Sequence, residues 1–171
     1  FAQEDETPTL DKLNSKHELR IDGLEALAIP NIEINYEYVI SKYAGAGAAV
    51  SFSLDESFSE YQKFAITPYY RQYFLNKKEY GARGLFIEGL LQFAIGDSYS
   101  SDFVETSPGF FETVDDGDWF DTGIGLAIGQ KWVSNNGFVF ELSGGAGRYL
   151  LDSDDSPDAF FRGGFLIGYR F

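Results

Sequence analysis

The last twelve residues alternate between apolar side chains and small or charged ones, and this pattern restricts the fold more than any other feature. Successive side chains of a strand point to opposite sides. One face would carry Phe161, Phe165, Ile167, Tyr169 and Phe171, and the other Arg162, Gly164, Leu166, Gly168 and Arg170. A soluble sheet covers its apolar face with a second layer. A strand of a membrane barrel instead turns its apolar face to lipid and its small or polar face inward. The pattern of the last twelve residues therefore predicts a lipid-facing strand.

Seven further segments have a similar length and composition, so the chain contains eight potential strands. They span residues 17–29, 31–41, 45–54, 64–75, 83–95, 119–134, 138–151 and 159–171. Alternation is clearest in 31–41, 83–95, 119–134 and 138–151. We predict an all-β fold, an eight-stranded antiparallel up-and-down transmembrane β-barrel covering residues 17–171.

The connections between these segments fall into two classes. Residues 41–44, 76–82 and 134–137 are short, and Asn135-Asn136-Gly137 is a strong hairpin signal. Residues 55–63, 96–118 and 152–158 are longer and mostly acidic. Short turns at one end and long loops at the other are typical of a barrel in the outer membrane of a Gram-negative bacterium. Residues 1–16 are expected to be a flexible periplasmic tail, with residues 1–2 as the end of a signal peptide.

Charge and residue types exclude several classes of function. A net charge of -14 argues against binding to nucleic acid. The chain has no cysteine, so no disulfide or thiolate site can form. The single histidine, His17, has no nucleophile motif around it and is expected to be a solvated tail residue. We predict no enzymatic activity, no cofactor and no metal, although calcium binding by the acidic stretches 115–118 and 152–158 stays an open alternative.

Charged residues recur at the inward positions of the predicted strands. Such charges must be paired when they are buried. The predicted lumen ion-pair network consists of Glu33, Glu37, Arg71, Glu88, Lys131, Glu141, Arg162 and Arg170. Lys131 and Glu141 would lie nearly opposite across the hairpin turn, and Arg162 and Arg170 would pair with carboxylates such as Glu141 or Glu33. Inward glycines would make room for long side chains, and Pro68 would require a bulge.

Aromatic residues cluster in the longest loop and at the strand ends. A possible partner-binding loop contains Tyr99, Phe103, Phe110, Phe111 and Trp119. These side chains would either anchor a partner or cover the barrel mouth. Tyr73, Trp119 and Phe160 are among the aromatics expected at the membrane interfaces.

Several motifs resemble those of small outer-membrane β-barrel proteins of Bacteroidetes, which are OmpA-like eight-stranded barrels. The motifs are Ile66-Thr67-Pro68-Tyr69-Tyr70-Arg71, Gly84-Leu85-Phe86-Ile87-Glu88-Gly89, Gly129-Gln130-Lys131-Trp132-Val133, Phe138-Val139-Phe140-Glu141 and Ile167-Gly168-Tyr169-Arg170-Phe171. The resemblance implies a terminal signal for the barrel-assembly machinery, at Phe165, Ile167, Tyr169 and Phe171. It also implies outer-membrane lipid and lipopolysaccharide as surroundings, and in some cases a larger outer-membrane transport or secretion complex as partner.

Two functions are compatible with these patterns. The first is a non-enzymatic barrel with a closed, ion-paired lumen, which serves a structural role or docks as an accessory subunit onto a larger complex. The second is a narrow channel for ions or small solutes. A lipid-modifying enzyme lacks a plausible site, and a soluble lipocalin-like barrel would require an apolar interior around a ligand.

Overall fold

A computed structural model describes residues 15–23, 31–54, 61–74, 81–97, 102–107, 110–114, 118–151 and 156–171. Within these ranges the chain forms eleven strands and no helix. The strands are β1 (His17–Asp22), β2 (Asn31–Val39), β3 (Ala44–Ser53), β4 (Phe64–Phe74), β5 (Gly84–Asp97), β6 (Asp102–Ser107), β7 (Phe110–Val114), β8 (Asp118–Val133), β9 (Phe138–Tyr149), β10 (Ala159–Arg162) and β11 (Phe165–Arg170). No helix long and apolar enough to cross a membrane occurs in the described ranges.

Nine strands form one closed antiparallel sheet. Its order is β10-β9-β11-β1-β2-β3-β4-β5-β8, and pairing of β8 with β9 closes it. The short strands β10 and β11 both pair with β9 and together fill one position of the barrel. The strand is interrupted between them at Gly163, whose φ of 134° favours glycine. The predicted all-β, eight-stranded antiparallel barrel is therefore confirmed.

The remaining two strands were not predicted. β6 and β7 form a separate two-stranded sheet within the connection between β5 and β8, where the sequence indicated only a loop. Both strands are short, with six and five residues, and each contains acidic residues. The Pro108-Gly109 dipeptide between them is the turn signal that would have indicated a hairpin.

The barrel has a polar inside and an apolar outside, which is the reverse of a soluble protein. Along β8, the outward Leu126 and Ile128 are 66% and 63% exposed, whereas the inward Asp121 and Lys131 are fully buried. The same alternation holds for β5 and for the terminal strand, where Phe161 is 68% exposed. The predicted faces of these segments are therefore confirmed.

Two predictions about strand register concern the turn between β8 and β9 and the position of Pro68 in β4. Residues 134–137 connect β8 and β9, and Lys131 lies opposite Glu141 as predicted. Gly137 adopts a φ of 90° in this turn. The bulge predicted at Pro68 is wrong, because β4 keeps one register with β5 at Ile66 and again at Tyr69. Residues 67 and 68 have no paired residue in β5. The missing N–H of Pro68 is therefore accommodated without the extra residue that a bulge would insert.

Candidate functional site

Ten of the inward charges of the barrel form one connected ion-pair network, called here the lumen network. It contains five cations, Arg20, Arg71, Lys131, Arg162 and Arg170, and five carboxylates, Glu18, Glu33, Glu37, Glu88 and Glu141. All are buried except Glu33, whose side chain is 14% exposed. Each of these charges has an oppositely charged partner, which limits the cost of keeping it out of water, and Asp22 and Asp121 are two further buried carboxylates at inward positions.

Arg71 lies at the centre of the lumen network. Its Nη1 and Nη2 donate to the two carboxylate oxygens of Glu141 at 2.7 and 2.8 Å. Its Nε donates to Glu88 Oε2 at 2.6 Å, and Nη1 also reaches Glu37 Oε2 at 3.0 Å. The guanidinium also lies 4.2 Å from the ring centroid of Phe86. Bidentate contacts of this kind fix an arginine in one orientation.

Arg20, on β1, contacts one carboxylate on the neighbouring strand β2 and one on the more distant strand β9. Its Nη2 donates to Glu37 Oε2 at 2.7 Å and to the Tyr69 hydroxyl at 2.8 Å, and its Nη1 contacts Glu141. The Nε of Arg20 has no hydrogen-bond partner among the described residues.

The network extends toward the short-turn end through Lys131 and Arg170. The Nζ of Lys131 donates to Glu18 Oε2 at 2.8 Å and Glu37 Oε1 at 2.9 Å. Arg170 donates from Nε to Glu18 Oε1 at 2.7 Å, and from Nη2 to the Ala82 carbonyl at 3.0 Å. The last strand is thus connected to the first both by its backbone ladder and through the interior.

Toward the long-loop end, the network continues through Arg162. Its Nε donates to Glu88 Oε1 at 2.8 Å and its Nη1 to Glu33 Oε2 at 2.7 Å. Because Glu88 also accepts from Arg71, this carboxylate links β10 to the central part of the network.

Aromatic side chains lie on both sides of the charges. Tyr69 and Tyr73 flank Arg71 along β4, and Leu90 and Phe86 flank Glu88 along β5. The cluster on the long-loop side contains Ala65, Tyr69, Leu90, Ala94, Trp119, Tyr149 and Phe160. The cluster on the short-turn side contains Val39, Tyr73, Ala82 and Phe86. The described interior is therefore filled by side chains at three levels.

Glycines on the inner wall provide the space for these large groups. A Cβ added at Gly129 would collide with Phe86, and one at Gly147 with Phe160. The same substitution at Gly168 would meet Arg20, and at Gly45 it would meet Glu37. Small residues on one wall therefore allow long side chains to cross from the opposite wall.

The eight residues predicted from the sequence all lie in the lumen network, but several pairs differ from those expected. Lys131 is opposite Glu141 in register and yet bonds Glu18 and Glu37. Arg170 pairs with Glu18 rather than with Glu141 or Glu33, whereas Arg162 pairs with Glu33, one of the expected partners, and also with Glu88. Glu18 and Arg20 are not among the predicted residues, although they alternate with Leu19 and Ile21 in β1. That alternation was the available signal.

Other residues singled out by the sequence lie in different surroundings. Trp119 is buried, with its ring 5.8 Å from that of Tyr149, so it is not an exposed anchor. Tyr73 and Phe160 also lie inside the barrel rather than at an interface. Phe103, Phe110 and Phe111 belong to the β6–β7 hairpin, and Tyr99 lies outside the described residues.

The first residue of β1 and the last residue of the sequence meet on the outer wall. His17 begins β1 rather than belonging to the tail; its Nδ1 lies 2.7 Å from the Tyr36 hydroxyl, and its ring stacks on Phe171 at 6.1 Å. Outward positions of the terminal strand hold Phe165, Ile167, Tyr169 and Phe171, the predicted assembly signal. Most of the two acidic stretches considered for calcium lies outside the described residues.

Lys63 forms an exposed ion pair at the long-loop rim. Its Nζ donates to Asp97 Oδ1 at 2.8 Å and to Asp118 Oδ1 at 3.4 Å. These hydrogen bonds raise the pKa of Lys63 above its ordinary value. The rim pair joins the entrance of β4 to the outer ends of β5 and β8.

Comparisons of the chain with protein-family models, with curated proteins and with solved structures found no match. The likeness to small outer-membrane barrels therefore rests on the quoted motifs and the barrel architecture.

Proposed function

We propose that the protein is a non-enzymatic β-barrel of the outer membrane of a Gram-negative bacterium. In this proposal the lumen network closes the barrel, which serves a structural role or acts as an accessory subunit of a larger outer-membrane complex. The observation that carries the proposal is the inverted pattern of burial, with charges inside and large apolar side chains outside.

The outer wall has the size and composition expected for contact with lipid. Outward positions of β5 from Leu85 to Ile95 are apolar or glycine. The ten steps from one residue to the next, at ~3.3 Å each, span about 33 Å, and a strand tilt of about 40° reduces this to a height of about 25 Å. That height matches the apolar band of outer-membrane barrels. Soluble monomers rarely expose a continuous apolar surface this large.

The described interior favours a closed barrel over a ligand-binding one. A soluble lipocalin-like barrel would have an apolar cavity, whereas these inward positions carry paired charges. An eight-stranded barrel is only wide enough for its own side chains or one small ligand. The bidentate contact between Arg71 and Glu141 occupies the centre. Movement of solutes would require this contact to break.

The accessory-subunit role is supported by the β6–β7 hairpin. This two-stranded sheet pairs with none of the described barrel strands. Among the described residues, each of its strands therefore has one edge that no other strand pairs with, and such edges are sites where a partner strand can add. The hairpin belongs to the connection on the long-loop side, which faces the cell exterior in the proposed orientation.

Extraction and co-purification test the proposal. We expect the protein to remain in the membrane pellet in buffer and to be released by detergent, and a variant without residues 101–115 to lose co-purifying outer-membrane proteins. Release without detergent would exclude the membrane assignment. A lone monomer after gentle extraction of the intact protein would exclude the accessory-subunit role, and steady unitary currents in a planar bilayer would favour the channel.

A further inference from the structure

The outer wall contains an open groove across β4, β5, β8 and β9 with a volume of about 920 Å³. In register, Tyr70 lies beside Gly89, Gly89 beside Leu126, and Leu126 beside Ala146. The large side chains of Tyr70 and Leu126 therefore form ridges on either side of Gly89. Pro68, Leu91, Ile124 and Arg148 continue the lining one row toward the long-loop end.

The packing of the chain does not require a glycine at the floor of this groove. A Cβ added at Gly89 would meet no atom within 4 Å, whereas one at Gly129 would collide with Phe86. A glycine also weakens a strand interior, because it has no side chain to pack. The open floor leaves an apolar slot between the ridges of Tyr70 and Leu126.

Arg148 adds a positive charge to one end of the groove. It is exposed, and it is the only Arg or Lys at an outward strand position in the described barrel. None of the described residues forms an ion pair or side-chain hydrogen bond with its guanidinium. An arginine on a lipid-facing surface is unfavourable unless it reaches an anionic partner or the membrane interface.

From these observations we infer that the groove binds one phosphorylated lipid, with an acyl chain over Gly89 and the phosphate at Arg148. This inference rests on the proposed membrane location. A guanidinium binds phosphate oxygens through two parallel hydrogen bonds. The chain carries a net charge of -14, which repels anionic lipids in general, so a bound phosphate requires a local cation such as this one.

A second copy of the chain fits the groove less well than a lipid. Such a partner would have to place an acidic side chain against Arg148. Among outward positions of the described barrel strands, the acidic residues are Asp97 and Asp118. Both lie at the rim, where each already forms an ion pair with Lys63.

The experiment measures binding of dioleoyl phosphatidic acid to the intact protein in detergent by native mass spectrometry, with diolein as the lipid that lacks phosphate. We expect one phosphatidic acid per barrel, and about tenfold weaker binding of diolein. Gly89→Leu, which fills the slot, and Arg148→Gln, which removes the cation, are each expected to weaken binding about tenfold. Gly144→Leu is the matched control, because Gly144 also has open space around its Cβ but does not line the groove. Arg148→Lys keeps the charge but loses the two parallel hydrogen bonds, so its binding should lie between that of the wild type and that of Arg148→Gln.

Equal binding by the wild type and the Gly89 and Arg148 variants would overturn the lipid site, as would occupation of the groove by a second copy. The latter would be detected by cross-linking through Gly89→Cys, a unique thiol in a chain without cysteine. Insertion of every variant into liposomes is measured in parallel. Variants that insert normally but bind lipid unchanged refute the groove alone, whereas a wild-type protein that stays in the aqueous phase refutes the membrane assignment and the groove together.

Discussion

Replacing Glu141 with glutamine tests whether the lumen network stabilises the barrel. The substitution keeps the shape of the side chain but removes its charge. It disrupts the two bonds from Arg71, at 2.7 and 2.8 Å, and the contact from Arg20. Five buried cations would then face the four carboxylates Glu18, Glu33, Glu37 and Glu88.

The expected loss follows from the partners that remain. Removing one member of a buried ion pair costs ~3–5 kcal/mol, because the other charge is left uncompensated. Arg71 still has Glu37 and Glu88, and Arg20 still has Glu37. We therefore expect a loss near the lower limit, about 3 kcal/mol of the free energy of unfolding.

A second substitution separates charge balance from a simple loss of packing. Combining Glu141→Gln with Arg20→Gln restores four cations and four carboxylates. The double variant should be more stable than the sum of the single losses predicts, by ~1–3 kcal/mol. Lys63→Gln, which removes an exposed rim pair, is the control and should leave the midpoint of unfolding unchanged.

Urea unfolding of the protein in phospholipid vesicles measures these differences, with the fluorescence of Trp119 and Trp132 as reporter. A loss below about 1 kcal/mol for Glu141→Gln would refute the reasoning, since that is within the range of an exposed pair. If the losses of stability in the double variant were strictly additive, Arg20 and Glu141 would contribute independently and not through their electrostatic interaction.

Three further predictions concern the wall, the rim and the terminus. Gly129→Val should prevent folding because its side chain would collide with Phe86, whereas Gly89→Ala should fold normally, as judged by heat-modifiable migration in gels. The raised pKa of Lys63 means that the rim pair is intact below the ordinary lysine pKa and is lost as the pH rises through the raised value. Asp97→Asn should lower the pKa of Lys63, as measured by NMR titration. An unchanged pKa would show that the hydrogen bond to Asp97 does not raise it. Phe171→Ala should slow assembly in cells, seen as periplasmic accumulation in pulse-chase labelling, and an unchanged rate would contradict its role as a signal.

The barrel could be predicted from the sequence because its main signal is local. Each strand alternates outward apolar side chains with inward ones, so parity alone assigns a residue such as Lys131 or Arg71 to the interior. The β6–β7 hairpin was missed because its strands are too short for a clear alternation. Trp119 has the inward parity of Asp121, yet its position at a strand end suggested an interface.

The partners across the lumen could not be predicted in the same way. Arg170 reaches Glu18 over a separation of 152 residues, and this contact depends on how the sheet closes. Parity gives the face of a side chain but not its height relative to the opposite wall. Lys131 illustrates the difference, because its register neighbour Glu141 is engaged by Arg71 while Lys131 turns to Glu18 and Glu37.

The central claim is that the apolar outer wall faces lipid, and a spin label at Leu126 tests it most directly. Leu126 is 66% exposed on the outer face of β8, and the absence of cysteines makes Leu126→Cys a unique labelling site. After reconstitution into liposomes, we predict that relaxation by oxygen, which partitions into hydrocarbon, exceeds relaxation by a water-soluble nickel chelate. Stronger relaxation by the nickel chelate would place this wall in water and contradict the account.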